Sequence, residues 1–84
     1  MLVQFNKLKR IYKEVEILSK QLTSITFYKP ELEEQLKTLD DYRYLLSVVI
    51  DNINMYKKEN LNEIINELMS TLKTIVKTIE KELE

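Results

Sequence analysis

The sequence predicts an all-α fold, an elongated antiparallel three-helix arrangement in a single domain spanning residues 1–84. Three observations carry that prediction. The chain has no glycine, no alanine and only one proline, so left-handed turns and tight hairpins have no ready residue to build them. Apolar residues recur in steps of three and four along three separate stretches. Lysine, glutamate, leucine and isoleucine dominate, as they do in helical bundles.

In the first stretch the seam is Leu8, Ile11, Val15, Leu18, Leu22 and Ile25, widened by Phe5 and Tyr12. This spacing puts one apolar face on a helix from about residue 3 to about residue 27. Tyr28-Lys29-Pro30 ends it, because a proline disfavours helical geometry in the residue before it.

Pro30 suits the first turn of the next helix, where its missing N–H does no harm. Glu31, Glu33 and Glu34 then sit against the positive end of the helix dipole. The second seam is Leu32, Leu36, Leu39, Arg43, Leu46, Ile50 and Ile53, flanked by Tyr42, Leu45, Val49 and Tyr56, on a helix over about 31–56. Folding back at Lys29 stacks Leu8 near Ile50, Val15 near Arg43 and Leu22 near Leu36.

Asn60 with Glu63 resembles a capping pair and places a third helix over about 61–83. Its seam is Leu61, Ile65, Leu68, Leu72, Ile75 and Ile79, broadened by Ile64, Met69, Val76 and Leu83. Glu63, Glu67, Ser70, Thr74, Lys77 and Lys81 make the opposite, solvent face. An eleven-residue rhythm running from Ile50 to Ile79 also fits one unbroken helix. Asparagines at 52, 54, 60 and 62 favour a break instead.

Much chemistry is excluded. With no histidine or cysteine, the Ser-His-Asp and Cys-His arrangements and zinc sites built on those ligands cannot form. Phosphate-binding fingerprints need glycines that are absent. The adjacent Asp40 and Asp41 diverge by about 100° on a helix and do not share a site. No enzyme activity, cofactor or metal is expected. No apolar run approaches the length of a bilayer span and no signal-peptide core is present, so the expectation is a cytoplasmic protein without a membrane partner. The codon bias implied by abundant lysine, asparagine and isoleucine points to an AT-rich genome, such as that of a phage or other mobile element.

What remains is recognition. Tyr44, Val48 and Met55 fall opposite Leu46 and Ile53 on the second helix, outside the arc that a three-helix bundle covers. With the acidic edge of Asp40, Asp41 and Asp51 they form a candidate surface for self-association or a partner protein. A chain this short buries a limited core, and burial between subunits adds to it, so a helical homo-oligomer is expected. The leading expectation is therefore a non-catalytic interaction protein that self-associates and binds, regulates or inhibits another protein.

Charge offers a second site. Residues 1–29 carry six basic and two acidic side chains, and residues 30–56 carry two and six, so the first two helices have opposite net charge. Pairing along their shared edge brings Arg43 to Glu14 or Glu16. At one end of the bundle Lys7, Lys9, Arg10 and Lys13 meet Lys57 and Lys58 beside Tyr12 and Tyr56. That end is a candidate anion site for a nucleotide or nucleic acid. A structural assembly subunit is the third reading.

Overall fold

A computed structural model describes residues 2–84. It contains three α-helices: α1 (Leu2–Ile25), α2 (Glu33–Asp51) and α3 (Lys58–Leu83). Short 3-10 turns, Pro30–Leu32 and Ile53–Met55, precede α2 and follow it. No strand occurs among the described residues. The rod measures 42 × 19 × 16 Å.

Each helix buries the stripe its spacing dictates. Leu8, Ile11, Val15 and Leu22 of α1 meet Leu32, Leu39, Leu46 and Val49, and α3 adds Leu61, Ile65, Leu68, Leu72, Ile75 and Ile79. Facing side chains fix the directions. Ser19 of α1 donates a 2.9 Å hydrogen bond to Asp40 of α2, and Lys9 and Tyr12 share a hollow with Ser47, Ile50 and Asp51. The two helices are thus antiparallel, within one residue of the register expected from the sequence. Gln4 donates to Asn62 at 3.3 Å, which sets the start of α1 beside the start of α3 and makes those two parallel.

Both corners are built without a left-handed residue, since no described residue has positive φ. At the first, the backbone N–H groups of Tyr28 and Lys29 both donate to the Ile25 carbonyl. Pro30 opens the 3-10 turn, and Leu32, fully buried, anchors it to the core. At the second, the Asn52 side chain donates back to the Val48 carbonyl at 2.8 Å and closes α2. Tyr56 and Lys57 are extended, and α3 starts at once.

The break between the second and third helices is therefore real, and it comes earlier than the asparagine pattern suggests. The second helix stops at Asp51 rather than 56, because Asn52 satisfies the terminal carbonyls that another helical turn would have used. The third begins at Lys58, which puts Asn60 inside the helix. The Asn60–Glu63 cap does not form: Lys57 holds the cap position and offers no side-chain hydrogen bond. The first helix ends two residues short of 27, where Thr23 and Thr26 hydroxyls donate to the carbonyls of Ser19 and Thr23.

Helix spacing follows side-chain size. Facing α2, α1 presents Val15 and the buried Ser19, which let the backbones approach, and this is the closest packing in the molecule. The seam of α3 is leucine and isoleucine throughout, so α3 stands further off. Open grooves are left along its edges.

Candidate interaction surface

The larger groove runs between α1 and α3. Glu14 lies on one bank; Met69, Ser70, Leu72, Lys73, Val76, Lys77 and Glu80 form the other, around a volume of about 650 Å³. A smaller hollow continues it past Ile17, Leu18 and Gln21 of α1, with Leu72 and Val76 shared by both. Leu72 is buried at its floor. The walls are apolar and open: Met69 is 55%, Val76 37% and Ile17 48% exposed, and Leu83, one turn past the groove on α3, is 52% exposed.

Helix geometry explains this surface. At about 100° per residue, Met69, Val76 and Leu83 share one line of α3, adjacent to the buried line through Ile65, Leu72 and Ile79. The sequence places these three in the core stripe. The structure corrects that: the other two helices cover the central arc of α3 and leave its α1-facing flank without an intramolecular cover. Ile17 belongs to no seam in the sequence, and its role emerges only once α1 and α3 are seen to be parallel, which sets it beside Val76.

The sequence-predicted surface on α2 is only partly assembled. Tyr44 is 74% exposed and Val48 half-buried. Met55 is 82% exposed but lies in the 3-10 turn beyond α2, so it does not share a helical face with Tyr44 and Val48. The reason is the early stop at Asp51. Of the acidic edge, Asp40 is engaged within the fold, by Ser19 and by Arg43 at 3.9 Å. Asp41 lines a cleft with Thr26, Glu33, Glu34, Leu36 and Lys37, while Asp51 faces the Lys9–Tyr12 hollow.

At the basic end Lys7, Lys9, Arg10, Lys13, Lys57 and Lys58 are all exposed, and Tyr12 and Tyr56 are half-buried against the core. Lys9 sits 5.3 Å above the Phe5 ring and shares its hollow with Asp51. The expected ion pairs between α1 and α2 do not form among the described residues. Arg43 pairs with Asp40 of its own helix, and Glu16 lies 4.0 Å from Lys20, because each finds a partner one turn away without crossing between helices.

Among the described residues no three carboxylates converge as a metal site would require, and no helix is long and apolar enough to cross a membrane. No known protein family, characterised protein or solved structure matches this chain.

Proposed function

We propose that this protein is a non-catalytic helical interaction module that self-associates and regulates or blocks a protein partner, and that its working surface is the apolar flank of α3 with Ile17 of α1. The observation that carries the reading is the alignment of Met69, Val76 and Leu83 along one exposed line of a helix whose remaining apolar positions are buried or half-buried. Scattered exposed apolar residues are ordinary; a line of them beside an open groove is what a partner helix fits. Charged residues rim it (Glu14, Lys73, Lys77 and Glu80), as expected for an interface with a dry centre. The absence of histidine and cysteine from the chain supports binding over catalysis.

The test is a photo-crosslinking side chain placed at Met69 and, as control, at Glu63 on the solvent face, introduced in the source cells. The expected result is discrete crosslinked species from position 69 and none from position 63. Equal yields from both positions, no product from either, or substrate turnover by the pure chain would remove the reading.

A further inference from the structure

We infer that the Met69–Leu83 flank of α3 is a two-fold interface and that its occupant is the same flank of a second copy, running antiparallel. This rests on the reading of the groove as an interaction surface, and adds what fills it and in which direction.

Met69, Lys73, Val76, Glu80 and Leu83 follow each other by fours and threes and form one stripe on the helix. All five are exposed. The stripe is apolar at its two ends and its centre, with one cation and one anion between. It is close to self-complementary about Val76. Met69 and Leu83 stand equally far from Val76, about 10.5 Å along the axis at 1.5 Å per residue. An antiparallel two-fold through Val76 therefore sets Met69 of each copy on Leu83 of the other, and Val76 on Val76. Lys73 lies three residues before the centre and Glu80 four after it. Each Lys73 then falls within about 1.5 Å, measured along the axis, of Glu80 of the second copy, well inside the reach of a lysine side chain. Both charge pairs form together, as a self-complementary interface requires.

Charge also fixes the direction. A parallel pair sets Lys73 against Lys73 and Glu80 against Glu80, which is repulsive at both positions. Neither residue takes part in an ion pair of its own chain; the pairs among the described residues are Lys20–Glu16 and Arg43–Asp40. Ile17, beside Val76 across the smaller hollow, widens the apolar centre. A dimer of this form sets the second copy's α3 against the open side of α3 and α1, where the wide seam leaves room for it.

The test uses purified full-length chain in sedimentation equilibrium over a range of concentrations. The wild type should dimerise, and Val76→Lys, which sets two like charges on the axis, should raise the dimer dissociation constant by about tenfold or more. Helicity by circular dichroism should be unchanged. Charge variants keep the test independent of any folding defect in Val76→Lys. Lys73→Glu and Glu80→Lys should each weaken self-pairing. Mixed together they should form a heterodimer, because only that pairing restores both charge contacts, and the double variant should dimerise again. Because the chain has no cysteine, Val76→Cys gives a single thiol, and two of these meeting at the axis should be joined in a chain-to-chain disulfide by an added two-electron oxidant such as diamide, which is reduced to its hydrazine. A monomer at every concentration overturns the inference. So does a dimer insensitive to Val76→Lys but broken by Tyr44→Lys with Val48→Lys, or two charge variants that fail to pair with each other. A monomer that still yields a foreign crosslink from position 69 ends the self-pairing and leaves the broader reading of the surface standing.

Discussion

Ser19 and Asp40 form the one side-chain hydrogen bond among the described residues that joins α1 to α2, at 2.9 Å, with the serine almost fully buried and the carboxylate half-exposed. It couples the closest helix pair and marks their register. Ser19→Ala should lower stability by about 1 kcal/mol, less than a fully buried charged hydrogen bond because Asp40 is half-exposed to solvent. In a chain of this size that corresponds to a fall in melting temperature of roughly 4–8 °C. A cycle with Asp40→Ala should give a coupling energy of about 0.5–1 kcal/mol. Strict additivity would show that the bond contributes nothing in solution.

Leu46 and Leu39 are fully buried at the centre of the α1–α2 packing. Replacing either with alanine should cost about 2–5 kcal/mol. Typical stability for a chain this short is only about 4–13 kcal/mol, so the urea midpoint should fall steeply. Val76→Lys, on the open flank, should leave the unfolding of dilute protein within about 0.5 kcal/mol of wild type. A large loss there would mean that the flank is core after all.

Lys57 has the extended backbone of a helix cap (φ −80°, ψ 152°) but no side-chain bond to the first turn of α3. Lys57→Asp supplies the missing acceptor and puts a negative charge at the positive end of the dipole. It should stabilise the fold by about 1 kcal/mol, seen as a higher melting temperature at neutral pH that shrinks as the new carboxylate is protonated in acid. Lys57→Ala is the control without an acceptor.

Gln4 is buried, with its Nε2 bonded to Asn62 and its Oε1 without a partner. An unmatched buried acceptor costs about 1–3 kcal/mol, against roughly 1 kcal/mol gained from one ordinary hydrogen bond. Gln4→Leu should therefore raise the melting temperature. A fall would show that the amide is fully satisfied in solution and that the Asn62 contact holds α1 to α3.

The parts of the fold legible in the sequence are those set by periodicity. The burial of Leu8, Val15 and Leu22 and the antiparallel match of α1 with α2 follow from spacing and a short connection. Helix ends are harder to place, because side-chain bonds to the backbone compete there with one more turn. Asn52 stops α2 early, and that single event moves Met55 off the helix and leaves Asn60 without a capping role. Arg43 fits a cross-helix pair on paper, yet Asp40 one turn away satisfies it. The candidate surface is the least legible part. A helical wheel shows how wide an apolar stripe is but not how much of it the neighbours cover, so Met69, Val76 and Leu83 look like core until α3 is seen to stand off from α1.

The Gln4–Asn62 contact has a bearing on any reporter attached to this molecule. An odd number of rods laid side by side leaves Leu2 and Leu83 at opposite poles, so the particle has a head and a tail. Two fluorophores, one near each pole, would sit far apart within one molecule yet come together between molecules lying head to tail. Energy transfer between singly labelled chains could then follow their meeting directly.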